Sequence, residues 1–338
     1  MTQQNSRHIV YLDILRVLAT FAVIFIHITA DGLVQPMLQY NWYVAVVGDS
    51  LVRWAVPVFI MISGALFLNP DKEISYKTIL TKKVPRLLIA YISWWLIYAL
   101  AIILVWHFIK NDPIQTDWIM PHYHLWFLPM LMGVYLLIPV LRKIAANDKL
   151  LRIVLGIWLC YLVIYFVFYD EINENMPLYV INTLIGYSGY FLLGYYISTA
   201  EIQKWLKFVV YFMGLLGAVM TIGGSIEMSM YNGCFSDIYI SYLSVNVMAM
   251  SLAVFVFIKE NIKEVKPRTS RFIDHIRHDL FGIYLVHPMW LMIVNKDIFR
   301  DLCNHVISLP LICIIVFVVS LFTTKILRKI PYIKTIVE

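Results

Sequence analysis

Long apolar stretches alternate with short polar connections over almost the whole chain of 338 residues. A transmembrane helix needs about 20 mostly apolar residues, because the hydrocarbon core of a bilayer is about 30 Å thick. The ninth of the stretches that we predict to span is the shortest, and Pro288 interrupts it. The pattern predicts an all-α polytopic membrane protein in which residues 1–338 form a single membrane domain. The ten predicted spans are roughly 9–30, 44–68, 84–108, 124–141, 150–169, 179–198, 205–224, 238–258, 280–295 and 306–325.

The composition supports a membrane protein. Hydrophobic residues make up 61% of the chain and charged residues only 14%, whereas soluble domains have about 25% charged residues. The four cysteines add little. Cys160 and Cys313 lie in apolar runs and are predicted to be core residues, while Cys234 and Cys303 fall in outer connections, where a disulfide and two free thiols are equally compatible with the sequence.

Connections rich in lysine and arginine alternate with connections poor in them. This alternation predicts the orientation of the chain in the membrane. Of the 27 lysines and arginines, 22 fall on one side of the predicted spans and three on the other. By the positive-inside rule the rich side is cytoplasmic, so both termini are predicted to be cytoplasmic. The net charge of +6 is thus a property of cytoplasmic loops and does not indicate nucleic-acid binding.

The first span carries three ionisable residues on one face. Arg16 and His27 are 11 residues apart, which is about three helical turns, about 20° in azimuth and about 16 Å along the axis. Asp13 and Thr20 fall on the same stripe, and Asp13 is one turn from Arg16. Ionisable groups within a bilayer are costly and usually functional. The alternative is a structural Asp13–Arg16 pair with His27 as an interfacial residue.

Other polar groups lie within or beside the predicted spans. Arg53 precedes Pro57, which is expected to kink the second span. His122, His124 and Trp126 open the fourth span near the expected level of His27, where an aromatic-belt role explains only the tryptophan. Asn182 and Asn246 are predicted to make packing hydrogen bonds. No His, Cys, Asp and Glu set has metal-ligand spacing on one helix, so no metal site is predicted.

Two further groups have competing interpretations. Tyr284 and His287 lie in the ninth span and are candidates for lining a passage through the membrane. Lys82, Lys83 and Arg86 stand at the inner mouth of the third span. They suit ordinary membrane anchoring, and they also suit a phosphate site, since lysine and arginine bind phosphate by charge and hydrogen bonding.

Five segments together resemble the acyltransferase-3 family of integral-membrane O-acyltransferases. The resemblance covers nearly the whole chain, and its most specific parts are the Arg16–His27 spacing and "FGIYLVHP". Where the family often has Arg-x-x-Arg before the third span, this chain has Lys83-x-x-Arg86. The five segments are "YLDILRVLATFAVIFIH", "VPVFIMISGALFL", "KKVPRLL", "HLWFLPMLMGVYLLIPVL" and "FGIYLVHP".

The resemblance implies transfer of an acyl group, most simply acetyl, from cytoplasmic acyl-CoA to a hydroxyl of a cell-surface or lipid-linked carbohydrate. Arg16 and His27 match the family's essential pair and are the expected catalytic residues. The donor is expected to contact Lys82, Lys83, Arg86, Arg16, Tyr284 and His287. The expected surroundings are membrane lipid, without nucleic acid or metal, in a bacterial cell membrane.

Two other classes also fit the pattern. An embedded Arg and His stripe suits a proton-coupled exporter of a polysaccharide or small metabolite. The chain has no obvious internal repeat, which weakly disfavours a transporter. A membrane sensor with a dead site is disfavoured by the intact Arg16–His27 pair.

Overall fold

The computed structural model describes residues 10–70, 75–109, 115–262, 266–294, 304–331 and 333–337. Within these ranges the secondary structure is helical, without a strand. Thirteen α-helices of eight or more residues are present in the described ranges: α1 Val10–Leu33, α2 Tyr40–Val52, α3 Ala55–Phe67, α4 Val84–Ile103, α5 Phe127–Leu136, α6 Ile138–Ala145, α7 Asp148–Val167, α8 Met176–Thr199, α9 Lys204–Asn232, α10 Val245–Asn261, α11 Pro267–Ile276, α12 Leu280–Ile293 and α13 His305–Leu327.

Shorter helical elements join them. The α-helical ones are Tyr76–Thr78, Tyr169–Glu174 and Lys334–Val337; Ile79–Lys83 and Leu104–Ile109 are π-helical; Thr116–Ile119, Tyr123–Trp126 and Ile238–Ile240 are 3-10 turns.

The predicted fold class is confirmed. Eight helical segments in the described residues are long and apolar enough to cross a membrane, and a ninth is present if α5 and the preceding turn are combined with α6. Helix α12 matches the ninth predicted span but has only 14 residues. All ten apolar stretches are thus helical, while the number that cross the membrane and the side of the termini stay predictions.

Proline interrupts two of the predicted spans. The second span divides into α2 and α3 at Arg53 and Trp54. Pro57 has no N–H to donate to the Arg53 carbonyl and its ring crowds that oxygen, so the helix opens four residues earlier. The fourth span was predicted to be one helix over 124–141 but bends by 58° between α5 and α6. Pro139, in the first turn of α6, has the same effect there.

Helices α3 and α8 approach closely at two glycines. A Cβ on Gly64 would lie 1.8 Å from the Phe191 carbonyl oxygen, and one on Gly194 would lie 2.0 Å from the Met61 carbonyl oxygen. Small residues permit such backbone contact between membrane helices. The tight α3–α8 pair supports one wall of the central cavity described next.

Candidate active site

The polar stripe on α1 forms as predicted. Arg16 Nη1 donates a hydrogen bond of 3.1 Å to Asp13 Oδ1, and Arg277 Nη1 lies 4.0 Å from the other carboxylate oxygen. Asp13 is buried, whereas the Arg16 side chain keeps a third of its surface exposed. Thr20 donates to the Arg16 carbonyl and therefore serves its own helix. Asp13 bonds one side of the Arg16 guanidinium, and the rest of that group faces open space.

That open space is a cavity of about 550 Å³ in the helix bundle. Arg16 and His27 both line it, about three helical turns apart along α1. The remaining lining residues come from α1, α3, α4, α5 and α12 and from the segments that precede α4, α5, α10 and α12: Val23, Val56, Phe59, Ile62, Ser63, Phe67, Lys83, Arg86, Leu87, His124, Trp126, Phe127, Leu128, Leu131, Tyr135, Tyr242, Arg277, His278, Leu280, Phe281 and Tyr284.

One end of the cavity, which we call the basic end, collects cationic side chains from three parts of the chain. Arg16 belongs to α1, Lys83 ends the π-helical turn before α4, Arg86 lies in the first turn of α4, and Arg277 lies in the turn between α11 and α12. His278 lies beside them. Such a group of guanidinium and ammonium donors is suited to bind phosphate oxygens.

The opposite end, which we call the histidine end, contains a cluster of aromatic and imidazole rings. The His27 ring lies 5.3 Å from the His287 ring in a stacked arrangement and 4.9 Å from the Tyr123 ring. The His124 ring lies 5.7 Å from the His287 ring. Three histidines from separate parts of the chain therefore meet at one point.

Pro288 determines how His287 is held. Proline has no N–H, so the Tyr284 carbonyl lacks its usual helical donor, and His287 Nδ1–H donates to it over 2.7 Å instead. A carbonyl only accepts, so Nδ1 carries the proton and the neutral ring has its lone pair on Nε2. His287 Nε2 is buried and has no hydrogen-bond partner among the described residues. His287 thus presents a fixed, neutral ring to His27.

A tyrosine from α4 bonds to α12 on either side of Pro288. Tyr98 Oη donates to the Leu285 carbonyl over 2.8 Å and accepts from the Met289 N–H over 3.2 Å. The Tyr98 hydroxyl thereby lies between the Met289 N–H and the Leu285 carbonyl, which bond to each other directly in a regular helix. Tyr284 Oη, on the same helix, donates to the His124 carbonyl. These bonds fix α12 against the turn that carries His124.

His122 and His124 form a direct pair, with their Nδ1 atoms 3.0 Å apart. Burial lowers the pKa of His122 to about 4, so this ring is neutral at physiological pH. One of the two Nδ1 atoms must then donate and the other accept. The sequence predicted that His122 and His124 lie near the level of His27, and the structure agrees, since the His287 ring contacts both the His27 and the His124 rings.

Five of the seven predicted site residues line the cavity: Arg16, His27, Lys83, Arg86 and Tyr284. Lys82 is exposed and does not line the cavity. His287 is fully buried behind His27 and does not line the cavity. The predicted packing roles of the two asparagines agree with the structure, since Asn246 donates to Thr221 and Tyr239 and Asn182 accepts from Tyr161. Arg277, His278 and Tyr242 were not among the predicted site residues.

Two sequence predictions about sulfur and metal chemistry are not decided. Cys313 is buried as predicted, whereas Cys160 is exposed, so the prediction of Cys160 as a core residue was wrong: it lies on the outward face of α7. Cys234 has no disulfide partner among the described residues, and Cys303 lies outside them, so a Cys234–Cys303 pair stays a prediction. Within the described ranges, no group of three His, Cys, Asp or Glu side chains is placed to hold a metal ion.

The comparisons with known proteins concern the whole chain. No curated protein and no solved structure matches it. A family model described as an acyltransferase domain, that of the acyltransferase-3 family, matches residues 9–325. This range includes every residue that lines the cavity and all but the ends of the chain. The chain therefore belongs to the acyltransferase-3 family of membrane acyltransferases.

Proposed function

We propose that this protein transfers an acetyl group from cytoplasmic acetyl-CoA to a hydroxyl of a cell-surface or lipid-linked carbohydrate, in a bacterial cell membrane. The observation that supports this best is the division of one cavity into a basic end and a histidine end. The ends are about 16 Å apart along α1. A donor that carries phosphates at one end and a reactive thioester at the other matches this arrangement.

The basic end is the donor-binding region in this proposal. Lys83, Arg86 and Arg277 bind the phosphates of CoA by charge-assisted hydrogen bonds. Arg16, held by Asp13, orients the chain that follows the phosphates. The pantetheine arm extends along the apolar middle of the cavity, beside Val56, Ile62 and Leu131. This orientation places the basic end on the cytoplasmic side, as the charge distribution of the loops predicts.

The histidine end is the reaction region. His27 removes the proton of the acceptor hydroxyl as that oxygen attacks the thioester carbonyl, since imidazole titrates near neutral pH. The new carbon–oxygen ester bond replaces the carbon–sulfur bond, and the CoA thiolate leaves. His27 returns the proton to that sulfur, giving CoA thiol. Transient acylation of His27, followed by attack of the hydroxyl, is the alternative route.

His287 is a positioning residue in this scheme. Its neutral ring stacks on His27, and its Nδ1–H is committed to the Tyr284 carbonyl. A stacked ring restricts the rotation of the His27 imidazole and so favours one orientation of its ring nitrogens. Tyr284 lines the cavity between the two ends and limits the path of the donor arm.

The activity is tested with protein purified into lipid nanodiscs and supplied with acetyl-CoA and a sugar glycoside as acceptor. We expect release of CoA thiol, measured with a thiol reagent, at a rate that depends on protein concentration and saturates with acetyl-CoA. Protein that binds no acetyl-CoA and releases no thiol would refute the proposal. It would favour the transporter hypothesis, in which the same stripe moves protons.

A further inference from the structure

A buried ion pair lies beside the cavity without lining it. Arg53 Nε donates to Asp49 Oδ2 over 2.5 Å, and Thr29 Oγ1 donates to Asp49 Oδ1 over 3.2 Å. Asp49 is fully buried between α1 and α2. Removing two charges from water is expensive even when they pair, and an ionisable group inside a membrane bundle generally has a function. The direction of the Arg53 side chain indicates what this function is.

Arg53 supports one aromatic residue of the cavity wall. Its Nη1 lies 3.5 Å from the Tyr242 hydroxyl oxygen, and its guanidinium carbon lies 5.5 Å from the centre of the Tyr242 ring. The Tyr242 backbone is also fixed, since Tyr190 Oη donates to the Tyr242 carbonyl over 2.7 Å. The Tyr242 ring stacks on Trp126, with 5.9 Å between ring centres and 18° between planes. We call Trp126 and Tyr242 the aromatic wall.

The aromatic wall belongs to the histidine end of the cavity. Thr29 and Asp49 are in contact, so they share a depth, and Thr29 is only two residues beyond His27. Arg53 is one helical turn, about 6 Å, from Asp49 toward the other end of the bundle, which places it near the level of residues 25–27. Trp126 follows two residues after His124, which lies in the histidine cluster. Both wall residues line the cavity.

This location separates the aromatic wall from the nucleotide part of the donor. The phosphates of CoA require the cations of the basic end, about three turns away along α1. What must be next to His27 is the donor thioester and the acceptor hydroxyl. The faces of aromatic rings are electron-rich and attract positively polarised hydrogens, and one face of a pyranose ring presents mainly C–H groups.

We propose that the aromatic wall is the acceptor subsite, where a pyranose ring stacks with one hydroxyl directed at His27. This inference rests on the proposed acyl transfer and specifies the shape of the acceptor. Arg53 and Asp49 are positioning residues, since they act on the sugar through Tyr242. The aromatic wall contributes stacking, and the Asp49–Arg53 ion pair behind it keeps the Tyr242 ring in one orientation.

The test compares two acceptors that share an octyl tail and differ in the head group. Octyl β-D-glucopyranoside carries a pyranose ring, and octyl tetraethylene glycol ether carries a flexible chain with a terminal hydroxyl. Protein in nanodiscs receives acetyl-CoA with a labelled acetyl group and each acceptor below its critical micelle concentration. Labelled ester and labelled acetate are quantified separately, which distinguishes transfer from hydrolysis. We expect ester formation on the glucoside and little on the ether.

Variants locate the effect on the aromatic wall. Trp126→Leu is expected to raise the KM for octyl glucoside about tenfold, which corresponds to about 1.4 kcal/mol and to the loss of one aromatic contact. The KM for acetyl-CoA should stay within about twofold. Trp126→Phe keeps a ring and should recover most of the acceptor affinity. Trp205→Leu, at an exposed tryptophan outside the cavity, is the matched control and should change neither constant.

The positioning role of Arg53 has its own variant. Arg53→Ala would leave Asp49 buried and unpaired, so the double variant Asp49→Asn with Arg53→Gln replaces the ion pair by neutral groups of similar shape. We expect it to fold and to raise the KM for octyl glucoside, with a smaller change in the KM for acetyl-CoA. If the Asp49–Arg53 pair has only a structural role, the double variant should change the two KM values together or leave both unchanged.

The outcomes separate this inference from the proposed function. Wild-type protein that consumes no acetyl-CoA refutes the function itself. Wild-type protein that hydrolyses acetyl-CoA but acylates the glucoside no better than the ether refutes the acceptor subsite alone. An unchanged acceptor KM in Trp126→Leu also refutes it.

Discussion

Single side chains decide what each end of the cavity can bind. Lys83 and Arg86 line the basic end, while Lys82 is exposed and does not line the cavity. We expect Lys83→Gln with Arg86→Gln to raise the KM for acetyl-CoA about tenfold or more, since each charged hydrogen bond to phosphate is worth about 1.5–3 kcal/mol. The dependence of this KM on salt concentration should also weaken. Lys82→Gln is the control, with an expected change below twofold.

Initial rates at increasing acetyl-CoA, measured at low and high salt, check this prediction. An equal effect of the Lys82 variant and the double variant would indicate general attraction by the loop. It would remove the basic end as a specific phosphate site.

Arg16 is tied to Asp13 and differs from a simple point charge. Arg16→Lys keeps the charge but loses the planar group that can bond Asp13 and a ligand together. We expect kcat/KM for acetyl-CoA to fall about tenfold or more in Arg16→Lys, with the protein still folded. Steady-state kinetics with a thermal-aggregation assay check both parts. Full activity in Arg16→Lys would mean that Arg16 contributes only positive charge.

Much of the α1 site could be predicted, because helix geometry alone relates Arg16 to His27. Eleven residues return to the same face, and both side chains line the cavity. Arg277 and Tyr242 could not be placed in the same way. They reach the cavity through the packing of helices distant in the sequence, which no local period encodes. Lys82 and Lys83 were equivalent in the sequence, and only the π-helical turn Ile79–Lys83 and its packing distinguish them.

At the scale of helices, close backbone contact holds α3 against α8. Gly64→Ala would place a methyl carbon 1.8 Å from a backbone oxygen, which α8 relieves only by moving. We expect a loss of about 3 kcal/mol or more in unfolding free energy and impaired acyl transfer, because α3 also lines the cavity. Gly223→Ala is the control, since a Cβ there meets nothing within 4 Å, and it should be neutral or slightly stabilising.

Thermal unfolding of the two variants in the same nanodiscs provides the comparison. Equal stability of Gly64→Ala and Gly223→Ala would contradict the tight α3–α8 contact.

Helix breaks were only partly predictable. Pro57 was expected to disturb the second span, and the structure has its break at Arg53 and Trp54. Pro139 was equally visible in the sequence, but the apolar run through it favoured one straight span over 124–141, and the 58° bend depends on how α6 packs on its neighbours. Apolar composition predicts that a segment is helical in a membrane, and it does not predict a bend within that segment.

For the whole molecule, the distribution of charge predicts which face is cytoplasmic. A cysteine-free variant receives a single cysteine at Arg268 or at Glu174, both of which are exposed. We expect a membrane-impermeant thiol reagent to label the Glu174 position in intact cells, and the Arg268 position only after the membrane is opened. The reverse pattern would place the basic end of the cavity outside the cell and would exclude cytoplasmic acetyl-CoA as its ligand.

The central claim is that one continuous cavity connects donor binding at the basic end with proton transfer at His27. The most direct measurement compares His27→Ala with wild-type protein for acetyl-CoA binding and for release of CoA thiol, with His107→Ala as a histidine control that does not line the cavity. We predict that His27→Ala binds acetyl-CoA within about threefold of wild type, because the phosphates bind at the other end. Thiol release should fall by about 100-fold or more, as expected on removal of a general base. Normal thiol release by a folded His27→Ala protein would contradict the account.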